Sequence, residues 1–141
     1  MELADVNVLV QTIRADGAHH PAALRWLQGV TTAAEPYAVS EMVLSSFVRI
    51  VTNRRIFSAP TPLTTALDFA NAHRSQLNAV VVAPGATHWA TFDALCREVG
   101  AIDNLIPDAY LAALAIERNC TFVTFDRGFA RFPGLLWKRP S

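Results

Sequence analysis

A chain of 141 residues and 15.4 kDa is one domain's worth of sequence, so residues 1–141 are read as a single domain. At 52% hydrophobic and 17% charged residues it excludes intrinsic disorder, which needs the opposite balance. Twelve Lys and Arg against twelve Asp and Glu give zero formal net charge, which excludes a polybasic nucleic-acid binder and leaves little repulsion to keep copies apart.

The opening residues 3–10 read as a short buried strand that passes quickly into a helix, with Asp5 at the junction. A helix over residues 20–27 follows, carrying Ala23, Leu24 and Leu27 at helical spacing. Tyr37-Ala38-Val39 is a short strand. Ser40 then has the character of an N-cap with Glu41 in the first turn, and Leu44, Phe47, Val48 and Val51 form an apolar stripe until Asn53, Arg54 and Arg55 end the helix. Residues 64–73 are helical. Residues 79–83 are an unbroken apolar strand closed by Pro84-Gly85. The pattern predicts a helix over 88–99 that stops at Gly100, and another over 109–117 with Pro107 in its first turn, where a missing N–H is harmless. Residues 121–125 are a buried strand ending at Asp126, and 135–137 an edge strand. Continuous apolar strands alternating with helices predict an α/β fold with a central parallel sheet covered on both faces.

Cys96 and Cys120 read as free, buried thiols of a reducing compartment. The amino terminus has no basic region before its apolar run, and no stretch approaches the ~18 apolar residues of a membrane span. The expectation is a cytoplasmic protein with no membrane association.

Four of the twelve acids stand apart. Asp5 and Asp126 each close an apolar strand; Glu41 and Asp108 each open a helix. Glu41 precedes Leu44 by three residues and Val48 by seven, and Asp108 stands similarly to Leu111, Ala112 and Ala115, so both are expected along apolar stripes. A buried carboxylate costs several kcal/mol unless paired or metal-bound. In open parallel sheets, strand ends and helix starts converge on the crevice where ligands bind. Two charges about 4 Å apart at an effective dielectric near 20 repel by about 4 kcal/mol, so a shared pocket of acids needs protons or a cation. With no His or Cys at matching positions, the donors are all oxygen and select Mg²⁺ or Mn²⁺ over zinc. Taken singly, each acid has a plainer account: helix dipoles favour acids in a first turn, and Asp after a strand makes turns.

Asp5-Val6-Asn7-Val8-Leu9, Ser40-Glu41 with Phe47-Val48-Arg49, Pro107-Asp108-Ala109-Tyr110-Leu111, and Thr124-Phe125-Asp126-Arg127-Gly128-Phe129 resemble, in order and over essentially the whole chain, the PIN-domain ribonucleases. Within them the likeness is to the VapC toxins of bacterial VapBC toxin–antitoxin systems. The resemblance implies a three-layer α/β/α sandwich and a quartet of acids, here Asp5, Glu41, Asp108 and Asp126, that hydrolyses RNA phosphodiester bonds with Mg²⁺, or Mn²⁺ in its place. Asp5, Asp108 and Asp126 are the implied metal ligands, with Glu41 binding a second ion or orienting water. It further implies a tRNA or rRNA substrate, inhibition of translation, a VapB-type antitoxin as partner, and a homodimer.

The basic residues are unevenly placed. Residues 118–141 carry a charge of +4, including Arg127, and residues 45–60 a charge of +3, including Arg49. Arg49 and Arg127 are therefore candidates for RNA contact, although solvated surface arginines would give the same pattern. His19, His20 and His88 lack a second ligand at metal-binding spacing. Trp26 and Trp89 fit core or dimer positions, and Trp137 is open to either packing or base stacking. Two other functions fit the residues: a non-catalytic PIN-like module whose acidic pit takes a partner's arginine, and a metal-dependent nuclease acting on other nucleic acid.

Overall fold

The computed structural model describes residues 1–141. Five strands, β1 (Glu2–Ala4), β2 (Tyr37–Ser40), β3 (Ala79–Val82), β4 (Thr121–Val123) and β5 (Trp137–Lys138), form one parallel sheet in the order β3-β2-β1-β4-β5. The six helices are α1 (Val6–Ile13), α2 (His20–Thr32), α3 (Glu41–Val51), α4 (Leu63–Arg74), α5 (His88–Val99) and α6 (Leu105–Glu117), and a 3₁₀ turn covers Arg127–Arg131. From β1 to β3 the chain steps outward in one direction, and after β3 it returns to the other side of β1. Right-handed crossovers therefore place α1–α4 on one face and α5–α6 on the other, which gives the expected α/β/α layering. The helix contacts agree: α1 packs on α2 and α3, α3 on α4, and α5 on α6. The order reverses between β1 and β4, and the crevice at their carboxyl ends is the place where this class of sheet holds ligands.

Local chemistry accounts for most boundaries. Ser40 caps α3 by accepting from the Val43 N–H at 3.3 Å, and Phe47 and Val51 below it are wholly buried. Gly100 ends α5 in the left-handed conformation at φ 63°, which a side chain would strain. Glu117, at the end of α6, accepts from the backbone N–H groups of Gly85 and Thr87 at 2.7 and 3.0 Å and so fastens the β3–α5 connection. One hydrophobic cluster runs from Leu3 to Leu135.

Three elements differ from expectation. Helix α2 continues to Thr32 rather than ending near Leu27, because Gly29 lies on its open side and costs only propensity there. Helix α6 starts at Leu105, so Pro107 sits third, still within the turn whose N–H groups have no helical partner. Residues 79–83 do supply the expected strand, but β3 lies at an edge of the sheet rather than covered on both faces, and Val80 and Val81 are 40% and 41% exposed. An apolar run cannot by itself distinguish a central strand from an edge that another surface covers. No helix is long and apolar enough to cross a membrane.

Candidate active site

Asp5 is the pivot of the crevice. It is the N-cap of α1, and its Oδ1 accepts from the Val6 N–H at 2.7 Å. Oδ2 accepts from the Thr124 hydroxyl at 2.7 Å and from Asn7 Nδ2 at 3.0 Å. Asn7 also donates to Thr124 Oγ1 at 3.1 Å, while its Oδ1 accepts from the Phe125 N–H at 3.1 Å. The Asp126 N–H donates to the same Thr124 hydroxyl at 3.0 Å. Two strand ends are thus laced together by short polar side chains, and both carboxylates inherit fixed positions.

Asp126 caps the 3₁₀ turn, with Oδ1 accepting from the Gly128 N–H at 2.8 Å. A Cβ at Gly128 would stand 2.9 Å from that oxygen, so any side chain there would push the Asp126 carboxylate out of this position. Asp108 projects from the first turn of α6 and is half-buried. Asp5, Asp108 and Asp126 line one cavity of about 390 Å³ together with Asn7, Gln11, Val6, Val10, Ile50, Ile56, Phe57 and Phe129. None of the three forms a salt bridge; the five ion pairs of the protein all lie elsewhere.

The electrostatics follow from this. Burial pushes the Asp5 carboxyl up to about 6, against the pull of its hydrogen bonds and with the help of the charges on Asp108 and Asp126. Burial and the Asp126 charge also raise Asp108, opposed by Arg131. The cavity therefore carries an excess of negative charge on hard oxygen donors, the chemistry that suits a divalent cation such as Mg²⁺ or Mn²⁺. The side chains are not drawn together as a closed cluster of three ligands. A larger cavity, about 650 Å³, opens at the amino ends of the strands beside Glu2 and Trp26. Its Glu2 is matched by Lys138 and by the Trp26 indole N–H, and Arg25, Lys138 and Arg139 line it beside the two glutamates, so the acids there do not stand alone.

The structure does not bring Glu41 to the other acids. Its carboxylate is exposed rather than set on the apolar stripe, and it accepts from Arg74 Nε of α4 at 2.8 Å. As the first residue of α3 it leans toward the end of α4, and it lines a separate groove with Arg49, Asn71 and Leu67. Arg49 lies in that groove and not in the acid cavity. Arg127 is exposed in the turn directly after Asp126.

Asn7 and Thr124, which hold these aspartates in place, are not marked by an argument from single acids, although each stands two residues from an aspartate. The histidines are packed or hydrogen-bonded: His88 Nε2 to the Tyr110 carbonyl at 2.9 Å, His20 Nδ1 to that of Gln11 at 2.7 Å, and His19 stacked on Phe125. Trp26 is core, Trp137 is half-buried in β5, and Trp89 is 68% exposed.

The profile of the PIN domain matches residues 3–135. Ribonuclease VapC25 of Mycobacterium tuberculosis is 40% identical over 140 residues, covering 99% of each chain. VapC ribonuclease Mb2897 of Mycobacterium bovis is 41% identical over 99% of this chain and 95% of its own. Among solved structures, VapBC2 from Rickettsia felis, bound to a DNA fragment from its promoter, aligns with a TM-score of 0.71 at 20% identity over 99% of this chain and 98% of that one. Mycobacterium tuberculosis VapC20, described as a sarcin–ricin loop cleaving toxin, aligns at 0.68 and 18% identity over 96% and 99%. The ordered acids, the sheet that brings three of them together and these full-length likenesses agree: the chain belongs to the PIN-domain family, among the VapC ribonucleases.

Proposed function

We infer that this protein is the toxin of a type II toxin–antitoxin pair and an endoribonuclease that hydrolyses RNA with Mg²⁺, or Mn²⁺ in its place. The observation that carries this reading is the convergence of Asp5, Asp108 and Asp126 on one cavity, none of them in a salt bridge, with burial first and the neighbouring carboxylates after it raising Asp5 to about 6.

Asp5, Asp108 and Asp126 would hold the ion. When bound, it supplies Lewis-acid stabilisation of the charge that develops on the phosphoryl oxygens. The chain's own residues do the rest. Thr124 and Asn7 fix the direction of Asp5, and the Gly128 N–H fixes that of Asp126, so two of the three acids are held in place by the fold before the substrate arrives. Arg127 and Arg131, flanking Asp126 and Asp108, favour a phosphodiester at the mouth. Attack of water on phosphorus with departure of the 3′ oxygen leaves a 5′-phosphate and a 3′-hydroxyl.

The substrate class is tRNA or rRNA, and translation stops as a result; the description of VapC20 as a sarcin–ricin loop cleaving toxin favours structured RNA of the translation machinery. A VapB-type antitoxin is the partner, as in the VapBC complexes of the same fold. The protein acts in the cytoplasm as a homodimer, and the exposed Val80 and Val81 of the β3 edge suit a covered surface. Sequencing of RNA ends after brief expression of wild type and of Asp5→Ala tests this directly. Discrete 5′-phosphate ends confined to wild type support it, and identical ends in both overturn it.

A further inference from the structure

The acid cavity has a second wall that the chemistry of the carboxylates does not use. Ile50, Ile56 and Phe57 line the same cavity as the acids, and Ile56 is 54% exposed. The turn that presents Ile56 and Phe57 is built by Asn53, whose carbonyl accepts from both their N–H groups at 3.2 and 3.0 Å and whose Oδ1 accepts from the Arg55 N–H at 2.8 Å. It is then locked from outside by Arg14. The Arg14 guanidinium lies 4.1 Å from the Phe57 ring centroid, and its Nη1 donates to the Ala59 carbonyl at 2.6 Å. Its Nε and Nη2 grip both oxygens of Asp16 at 3.0 and 2.7 Å, which holds the guanidinium in one plane. The side chain is only 12% exposed. Helix α1 therefore carries Asp5 at one end and, at the other, the residue that fixes the apolar wall of the same cavity.

Such a wall fits one kind of occupant. An exposed branched apolar side chain borders a pit of negative charge, and the adjoining Arg54 and Arg55 are exposed and unpaired. No acid lies between Glu41 and Asp68. A flat apolar group attached to an anionic backbone answers all three features, which describes a nucleotide of single-stranded RNA. We propose that the Ile56–Phe57 turn seats the nucleobase beside the phosphodiester at the acids, with Arg54 and Arg55 on the flanking phosphates, and that Arg14 is the residue that positions this wall. The wall selects where the RNA is cut. This rests on the ribonuclease reading above and adds to it the part of the cavity that reads the base.

The test compares wild type, Ile56→Ser and Arg14→Lys on total tRNA and rRNA and on RNA hairpins whose single-stranded loops vary in sequence, in Mg²⁺. Ile56→Ser is expected to raise KM about tenfold, with a smaller effect on kcat, and to flatten the preference among cut sites. Arg14→Lys keeps a cation near Phe57 but loses the fork on Asp16. It should show the same pattern while retaining the rise in melting temperature that Mg²⁺ gives wild type, a combination that simple loss of fold would not produce. Wild-type KM and cut sites in Ile56→Ser would overturn the wall while leaving the ribonuclease reading intact. So would a fall in kcat together with loss of the Mg²⁺ response in either variant. Failure of wild type itself to cut any RNA would overturn both.

Discussion

Thr124 donates its hydroxyl to Asp5 Oδ2 at 2.7 Å, joining two strand ends that lie 119 positions apart in the chain. Thr124 is wholly buried, and the same oxygen also serves Asn7 and Asp126. Thr124→Val keeps the shape and removes the hydroxyl, leaving one acceptor and two donors each short of a partner. The variant is expected to lose about 1–3 kcal/mol in urea denaturation. Its RNA cleavage should fall about 10–100-fold, because Asp5 is no longer aimed. Thr124→Ser should retain both stability and rate; equal loss in the two variants would show that the methyl group, not the hydroxyl, matters.

Glu41 offers a sharp contrast with the clustered acids. It is engaged with Arg74 at 2.8 Å in a groove away from Asp5. Glu41→Gln is expected to cleave RNA within a few-fold of wild type and to lose no more than about 1 kcal/mol, as exposed ion pairs do. Asp108→Asn should abolish cleavage with its circular-dichroism spectrum unchanged. Inactivity of both variants would return Glu41 to the catalytic set and require α3 to shift toward the crevice.

The charge in the cavity makes the melting temperature sensitive to both metal and pH. Asp5 titrates near about 6 in the folded chain against 3.8 unfolded. Its neutral form therefore stabilises the metal-free protein fully below 3.8, and that contribution is lost as pH rises through 6. Millimolar Mg²⁺ or Mn²⁺ binds only the native state and should raise the melting temperature by a few degrees, about, at pH 7.5. The rise should shrink at pH 5, where a proton holds the Asp5 oxygen. Differential scanning fluorimetry across that range, with Asp108→Asn as the control that responds least, measures it.

A second pH effect has nothing to do with the site. His73 is 5% exposed among Tyr37, Trp26 and Phe69, its Nδ1 has no partner, and burial lowers its ring to about 4. The unfolded chain takes up that proton near 6.5, so the stability is complete above 6.5 and drains away as pH falls toward 4. The loss amounts to about 2 kcal/mol by pH 5. His73→Phe should flatten this limb in urea titrations at pH 7 and pH 5; an unchanged slope would place the acid sensitivity elsewhere.

The residues that announced themselves in the sequence were those whose role is local. Ser40 capping α3, Gly100 ending α5 and Asp5 and Asp126 closing strands all follow from a few neighbouring positions. Three of the four acids were gathered because strand ends and helix starts of a parallel sheet converge whatever the side chains. Glu41 was not, because its direction depends on Arg74 from α4, a contact between helices that spacing does not encode. Edge placement of β3 and the lock of Arg14 on Phe57 are likewise tertiary. Asn7 and Thr124 carried a visible signal, a short polar side chain two residues from each aspartate, which becomes meaningful only once β1 and β4 are known to be neighbours.

The proposed ribonuclease chemistry needs a divalent ion shared by acids from three different elements. A crystal of the protein grown in Mn²⁺, with data collected at the manganese absorption edge, would locate that ion directly. An anomalous peak in contact with carboxylate oxygens of Asp5, Asp108 and Asp126, and none at Glu41, is the predicted result. Manganese bound only elsewhere, with Asp5 still held solely by Thr124, Asn7 and Val6, would contradict it.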